Sequence, residues 1–339
     1  MSLVSVVSPC RNERAHIDDF IVAVLAQRCD GFELELLIAD GASDDGSRAC
    51  IEAWAERDAR VRLVDNSRRI VSTGLNEAIE RARGDIIVRM DVHTWYADDY
   101  VLRCVQALQR TGATCVGGPW LARGEGAMQR AIAAAFQSRF GSGGAASRRA
   151  DYSGEVDTVY LGAWRREDLR RLGGFDETLV RNQDDELALR IVRCGGRVWQ
   201  SSDIRSAYLP RASLMALARQ FHQYGYWKIP VIRKHRLPAS ARHVAPFGFL
   251  TLLACLAVAL QWWQPAAYAL AGLLLAYVGV AAAAAWQAMP ETHRRLWPLA
   301  MAALACMHFG YASGFGRGVW DFIVLRRAGA PAAMVKLTR

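Results

Sequence analysis

Residues 3–13, LVSVVSPCRNE, and residues 34–47, LELLIADGASDDGS, each join an apolar run to a polar turn that leads into a helical pattern. Strand, loop and helix in this order are typical of a nucleotide-binding α/β unit. The alternation continues to a fourth apolar run, and it predicts an α/β fold with a mostly parallel sheet covered by helices on both faces. The predicted strands are 3–8, 34–39, 61–64 and 85–90, and the predicted helices between them are 16–27, 51–56 and 73–82.

Two aspartates stand at the ends of predicted strands. Asp40 closes the second strand and Asp91 follows the fourth. Ligands bind such sheets at the carboxyl ends of the strands, so both acids lie at the predicted binding edge.

Asp91 and His93 are candidate ligands of one divalent cation. On an extended segment, residues two apart point to the same side. A carboxylate together with an imidazole favours Mn²⁺ over Mg²⁺. The spacing alone leaves a second interpretation open, which is that these residues form a structural turn.

The second acidic cluster is Gln183-Asp184-Asp185-Glu186, at the start of a predicted helix. Acidic residues stabilise the first turn of a helix, and this is one interpretation of the cluster. The other is a general base that takes a proton from an attacking hydroxyl. Asp184 is the first candidate for that role and Asp185 the second.

Basic and aromatic residues crowd the segment 208–228. Arg211 and Lys228 are candidates to neutralise a diphosphate, and Trp227 is a candidate to stack on a sugar or a uracil ring. An amphipathic helix at a membrane surface, with its aromatic rings at headgroup depth, accounts for the same residues. The two interpretations are compatible.

The C-terminal third is apolar. Residues 246–263 and 266–289 carry no charge and approach the length of a membrane span, and 298–316 is a weaker third candidate. The predicted organisation is therefore a catalytic domain at 1–230, a basic membrane-surface segment at 231–245, transmembrane helices within 246–325 and a basic tail at 326–339. The net charge of +9 is attributed to binding at an anionic membrane surface, and no nucleic-acid partner is expected.

Topology follows from the charged residues. The N-terminus shows no basic region before a long apolar stretch, so the first domain is expected to stay on the side of synthesis. Arg233, Lys234, Arg236 and Arg242 precede the first predicted span, as the positive-inside rule requires of a cytoplasmic segment. The expected location is the inner (plasma) membrane, with the catalytic domain in the cytoplasm.

The motifs taken together resemble glycosyltransferase family 2, whose fold is termed GT-A. The resemblance covers about residues 3–230 and rests on VVSPCRNE, IADGASDDGS, ARGDIIVRMDVH, the GGF-D segment at 173–176 and NQDDELALR. It implies that Pro9, Asn12 and Glu13 lie at the nucleoside and that Asp40 binds uracil or ribose. It further places Asp91 and His93 at the metal-binding D-x-D position and Asp184 at the catalytic base, with Arg190 fitting the same motif.

A narrower resemblance links the chain to exopolysaccharide-biosynthesis glucosyltransferases of the succinoglycan type. It rests on MDVHT, VDTVYLGAWRRE and LPRASLMALARQFHQYGYWK, followed by membrane helices. It implies a UDP-sugar donor carrying glucose or another hexose, a Mn²⁺ or Mg²⁺ cofactor, a polyprenyl-diphosphate-linked oligosaccharide acceptor, and inversion at the anomeric carbon.

Three departures qualify the resemblance. His93 replaces the second metal-binding Asp, Gln183 replaces the Glu before the base, and the Q-x-x-R-W motif of processive synthases is absent from the sequence. Addition of one sugar is therefore expected, not processive polymerisation. Two alternatives stay open: a polyprenyl-phosphate glycosyltransferase, and a non-catalytic membrane adaptor on the same fold.

Overall fold

The computed structural model describes residues 2–238, 240–327 and 329–335. Position 328 and positions 336–339 of the predicted tail lie outside the described residues. The chain forms two compact units, the first of Met1–Leu121 and Arg149–Tyr208, the second of Ala122–Arg148 and Leu209–Arg339. This division differs from the predicted boundary at residue 230, because 122–148 and 209–230 group with the C-terminal helices.

The strands all belong to the first unit. Their bounds are β1 Ser2–Cys10, β2 Phe32–Asp40, β3 Val61–Asp65, β4 Ile86–Arg89, β5 Thr94–Tyr96, β6 Cys115–Gly118, β7 Gly154–Glu155, β8 Tyr160–Arg165, β9 Val198–Gln200 and β10 Ser206–Tyr208.

The helices are divided between the units. Those of the first unit are α1 Ile17–Leu25, α2 Ser47–Arg57, α3 Val71–Arg81, α4 Tyr100–Thr111, α7 Arg166–Leu172 and α8 Gln183–Arg193; those of the second are α5 Ala127–Gln137, α6 Arg139–Ser142, α9 Leu214–His235, α10 Ala245–Ala259, α11 Pro265–Ala288, α12 Trp297–Gly318 and α13 Ala332–Val335.

An eight-stranded sheet organises the first unit, in the order β3-β2-β1-β4-β8-β6-β9-β7. The four strands β3, β2, β1 and β4 are parallel, as predicted, and β8 runs antiparallel to β4 and β6. Cys10 stands opposite Asp40, and Val7 stands opposite Arg89. The register therefore brings the carboxyl ends of β1, β2 and β4 to one edge of the sheet.

Alternating side chains of the central strands enter two different cores. Val4 and Val6 of β1 pack in a cluster that includes residues of α1, α2 and α4, whereas Val7 packs in a second cluster with residues of α3, α7 and α8. Both faces of the sheet are thus covered by helices. For this reason, the sequences of the central strands are nearly continuous apolar runs.

Close contact between α9 and α12 organises the second unit. Gly310, Gly314 and Gly318 recur every fourth residue on α12, and Gly225 faces them from α9. A Cβ atom added at Gly314 would lie 1.9 Å from the His222 backbone oxygen, and one added at Gly225 would lie 2.0 Å from the Tyr311 backbone oxygen. Only glycine allows the two backbones to approach this closely, as small residues do where helices meet in membranes.

The substitution Gly314→Ala is expected to destabilise the second unit by ~1–3 kcal/mol, because the new methyl group overpacks the α9–α12 contact. Gly279→Ala in α11 is the matched control, since its Cβ would meet no described atom within 4 Å. The melting temperature of the detergent-solubilised protein should fall for Gly314→Ala and stay level or rise for Gly279→Ala. Equal melting temperatures for the two variants would show that the contact is not tight.

Two helices of the described chain are long and apolar enough to cross a membrane. They are Pro265–Ala288 and the helical stretch Glu291–Val324, which is kinked at His293. The first matches the predicted span 266–289, and the second extends the predicted 298–316 at both ends. The remaining prediction, 246–263, corresponds to α10, whose 15 residues are fewer than the ~20 that a span needs.

Candidate active site

Arg89, the last residue of β4, connects the two acidic motifs. The residue is 4 % exposed, and its guanidinium forms two hydrogen bonds with Asp91, Nε to Oδ1 at 2.8 Å and Nη2 to Oδ2 at 2.9 Å. Its Nη1 donates to Asp184 at the start of α8. The predicted metal ligand and the predicted base therefore share one buried cation.

Asp184 lies where its protonation is sensitive to the surroundings. Although 38 % of its side-chain surface remains accessible, desolvation raises the pKa of its carboxyl to about 6. Arg89 opposes this rise and Asp91 adds to it. A carboxyl with such a pKa is ionised at neutral pH and is a better proton acceptor than an ordinary aspartate.

Tyr96 fixes the backbone of Asp91. The Tyr96 hydroxyl accepts from the Asp91 backbone N–H at 2.6 Å and donates to the Asp91 carbonyl oxygen at 3.0 Å. Val92 and His93 form a turn between β4 and β5. The side chains of Asp91 and His93 were predicted to point the same way because the segment was expected to be extended. The segment is a turn, so this part of the prediction is wrong.

His93 faces Glu13 from the loop after β1. The imidazole Nδ1 is 3.3 Å from Glu13 Oε1, and both side chains are largely buried. Glu13 itself is held by its backbone N–H, which donates to Ser47 Oγ at 2.9 Å. The structure thus brings Glu13, predicted to lie at the nucleoside, to one of the two predicted metal ligands.

Asn12 joins the loops that follow β1 and β2. Its Nδ2 donates to Asp44 Oδ1 at 2.8 Å, and the Asp44 backbone N–H donates back to Asn12 Oδ1 at 3.0 Å. The left-handed backbone of Asn12, φ 55°, places its side chain for this pair. Asn12 therefore shapes the loop at the predicted nucleoside site, with Pro9 half-buried at the end of β1.

Asp40 ends β2 with a buried carboxylate. The Ser43 backbone N–H donates to both of its oxygens at 3.3 Å, and Arg48 Nη1 lies 3.5 Å from Oδ2. Cys10 stands beside it on β1. Burial and the charge of Asp40 raise the pKa of the Cys10 thiol, so it stays protonated and is not a nucleophile.

The rest of the second acidic motif anchors α8. Glu186 is fully buried and pairs with Arg190 along the helix, Oε2 to Nη2 at 2.5 Å. Arg190 Nη1 also donates to the carbonyl oxygen of Leu172, the last residue of α7. These contacts fix the start of α8 relative to α7, so Glu186 and Arg190 position Asp184.

An aromatic cluster lies next to His93. Trp120 and Tyr160 stack with a centroid distance of 5.7 Å, and Tyr208 meets Trp120 edge-on at 5.9 Å. His93 contacts the Tyr208 ring at 6.4 Å, and Thr94 Oγ1 is hydrogen-bonded to the Tyr160 hydroxyl. Binding sites for organic ligands are commonly lined in this way, by aromatic side chains with a few polar groups.

The remaining predicted donor-binding residues, Arg211, Trp227 and Lys228, belong to the second unit. Trp227 is 4 % exposed, its Nε1 donates to the Met334 carbonyl oxygen, and its ring contacts Tyr226 and Phe322. Lys228 is also 4 % exposed. The Trp227 indole is buried among residues of the second unit. The predicted stacking of this ring on a sugar or uracil is therefore not part of the proposed site.

The candidate metal-ligating side chains are compatible with a divalent cation that is bound together with a nucleotide. Within the described residues no group of three or more His, Cys, Asp or Glu side chains could hold a metal. Mg²⁺ is bound in many enzymes by one or two carboxylates together with substrate phosphates and water. Asp91, at the carboxyl end of β4, would supply the carboxylate of this pattern, and His93 is the second candidate ligand.

Comparison with known proteins places these observations in a family. The sequence model of Glycosyl transferase family 2 matches residues 5–173. The succinoglycan biosynthesis protein ExoA of Rhizobium meliloti is 32 % identical over 94 % of this chain and 95 % of its own. A dolichyl N-acetyl-α-D-glucosaminyl phosphate 3-β-D-2,3-diacetamido-2,3-dideoxy-β-D-glucuronosyltransferase of Methanococcus voltae is 26 % identical over 75 % of this chain and 80 % of its own.

Two solved structures share the fold. The mannosyltransferase PcManGT from Pyrobaculum calidifontis, in complex with GDP-Man and Mn²⁺, has a TM-score of 0.62 at 23 % identity and covers 94 % of this chain and 87 % of its own. S. aureus TarS, residues 1–349, has a TM-score of 0.51 at 13 % identity, with 96 % and 92 % covered. The predicted GT-A fold is confirmed.

Proposed function

Because the chain belongs to glycosyltransferase family 2, we propose that it is an inverting, metal-dependent glycosyltransferase of exopolysaccharide biosynthesis. It moves a hexose from a UDP-sugar to a hydroxyl of a polyprenyl-diphosphate-linked oligosaccharide. The chain acts at a membrane, through the two apolar helices able to cross one.

One observation carries this proposal: Arg89 joins Asp91 and Asp184 at the carboxyl edge of the sheet. The resemblance assigns Asp91 to the cation that would bind the donor diphosphate, and Asp184 to the base that would deprotonate the acceptor hydroxyl. A single-displacement transfer needs these two groups on either side of one anomeric carbon. The shared cation holds them at a fixed separation.

Asp184 acts as the general base. As the acceptor oxygen bonds to the anomeric carbon, its proton passes to the Asp184 carboxylate, and the bond from the sugar to the nucleoside diphosphate breaks. Arg89 acts through Asp184 by keeping the carboxylate ionised and oriented. No covalent enzyme intermediate is required.

Asp91 and His93 would hold the divalent cation, and Glu13 would orient the His93 ring. The bound cation would neutralise the charge that develops on the leaving diphosphate. The loops after β1 and β2, with Asn12 and Asp40, enclose the nucleoside. Trp120, Tyr160 and Tyr208 form the apolar wall of the sugar site.

The substitution His93→Ala is expected to weaken Mn²⁺-dependent donor binding by about tenfold, because it removes one of two protein ligands. The measurement is UDP affinity with Mn²⁺ and with EDTA, by calorimetry on the detergent-solubilised protein. The difference between the two conditions should shrink in the variant. Equal Mn²⁺-dependent affinities in wild type and His93→Ala would remove His93 from the metal site.

The acceptor distinguishes the proposal from the polyprenyl-phosphate alternative. Membrane extract and a radiolabelled UDP-sugar are incubated with the enzyme, and the lipid product is treated with mild acid. Label that stays on an oligosaccharide released from the lipid supports a hydroxyl acceptor. Label released as free sugar, with turnover kept in Asp184→Asn, would support transfer to a lipid phosphate, which needs no hydroxyl-directed base.

A further inference from the structure

A buried carboxylate in the second unit organises a cluster of arginines. Asp321 is fully buried in the π-helical turn Val319–Val324, which follows α12. Its Oδ2 lies 3.1 Å from Arg317 Nε and accepts from the Tyr226 hydroxyl at 3.2 Å, and its Oδ1 lies 3.5 Å from Arg327 Nη1. Short π-helical turns are rare and are frequently found at functional sites.

The cluster carries excess positive charge on its exposed side. Arg317 and Arg327 share one carboxylate, and their side chains remain 47 % and 44 % exposed. Arg233 on α9 is also exposed and donates from Nη1 to the Phe322 carbonyl oxygen at 3.3 Å. The sequence of the second unit supplies Glu125, Glu291 and Asp321 as its acidic residues and no others. Three guanidinium groups therefore face outward against one buried carboxylate.

Apolar side chains stand exposed at the same turn. Trp320, Ile323 and Val324 are 52 %, 50 % and 54 % exposed. A free anion would engage the arginines and leave this apolar surface in water. A ligand with a phosphate group and a hydrocarbon chain would use both surfaces.

The position of the π-helical turn at the end of α12 agrees with a lipid ligand. Beyond the kink at His293, α12 has 22 residues and the π-helical turn adds 6 more, whereas a bilayer core is crossed by ~20. The turn at one end of this stretch therefore falls at the headgroup region if the helix spans. Arginine and tryptophan are the residues found at that depth.

We propose that Arg317, Arg327 and Arg233 form a binding site for the phosphate headgroup of an anionic membrane lipid, with Trp320 and Ile323 along the hydrocarbon chain. Asp321 is the positioning residue that holds Arg317 and Arg327 together. Bidentate guanidinium–phosphate contacts give such a site more geometric specificity than a diffuse basic surface has. The site is independent of the proposed glycosyl transfer.

The test measures lipid retained by the delipidated, detergent-solubilised protein, by native mass spectrometry. The lipids are dioleoyl phosphatidylglycerol, polyprenyl phosphate and zwitterionic dioleoyl phosphatidylcholine, and inorganic diphosphate is a competitor. The variant is R317Q/R327Q, and R295Q is the matched control, because Arg295 is an exposed arginine just before the first residue of α12.

Wild type and R295Q should retain an anionic lipid, and R317Q/R327Q should bind it about thirtyfold more weakly, from ~1 kcal/mol for each arginine lost. Preferred retention of phosphatidylglycerol would identify a bulk lipid, and preferred retention of polyprenyl phosphate would identify a carrier lipid. Equal retention of phosphatidylcholine, an unchanged affinity in R317Q/R327Q, or full displacement by inorganic diphosphate would overturn the proposal. Because the readout is binding, failure here leaves the transferase assignment untouched.

Discussion

Asp184→Asn is expected to lower kcat by about 10²–10⁴-fold with little change in UDP-sugar affinity, because the variant keeps the shape of the side chain but loses the proton acceptor and its charge beside Arg89. The melting temperature should stay close to that of the wild type, since desolvation already disfavours the ionised carboxylate at this position. The measurements are kcat by steady-state kinetics, donor affinity by calorimetry, and thermal unfolding.

The pH profile supplies a second readout of the same role. The base must be unprotonated, and the pKa of Asp184 is raised to about 6, so kcat/KM should fall as the pH drops through about 6. Asp185→Asn is the informative companion, because Asp185 is the other candidate. If Asp185→Asn shows the large loss and Asp184→Asn keeps the acid limb, the base is Asp185.

Arg89→Met is expected to have the largest effect on stability. The substitution leaves Asp91 and Asp184 without their shared buried cation, and breaking a buried ion pair in this way costs ~3–5 kcal/mol. Arg60→Met is the matched control, because Arg60 pairs with Asp58 near the surface, where ion pairs contribute about 0–1 kcal/mol. Thermal unfolding in detergent compares the two variants.

Activity should respond to Arg89→Met as well. Arg89 lowers the pKa of Asp184, so the acid limb of kcat/KM should move to higher pH in any folded fraction of the variant. The conservative substitution Arg89→Lys should recover part of the stability and move the limb less. An unshifted limb together with wild-type stability would mean that Arg89 does not couple the two acids.

Much of the fold could be predicted from local patterns. The first four strands are found within two residues of their predicted bounds, because β-branched runs bounded by turn residues are a local signal. The antiparallel strand β8 inserts between β4 and β6, and no local pattern indicates which strands will be neighbours. Local patterns also did not indicate that residues 122–148 group with the C-terminal helices, because α5 joins α9 and α12 only through tertiary packing.

The sequence indicated the acidic residues that the structure brings together, but not the arginine that joins them. Asp40 and Asp91 lie at the predicted edge of the sheet because strand ends are visible in the sequence. Arg89 was overlooked, although an arginine within the apolar run of β4 is itself a signal, because a buried charge needs a partner. Trp227 shows the opposite error, since sequence does not reveal which side of α9 faces the interior.

The measurement that tests the central claim most directly is nucleoside diphosphate release by the purified, detergent-solubilised enzyme. The donors are a panel of UDP-sugars and GDP-mannose, with Mn²⁺, with and without a polyprenyl-linked acceptor extract. The account predicts release of UDP from one donor, dependent on the acceptor and lost in Asp91→Ala and Asp184→Asn. Absence of release from every donor, or release that persists in both variants, would contradict it.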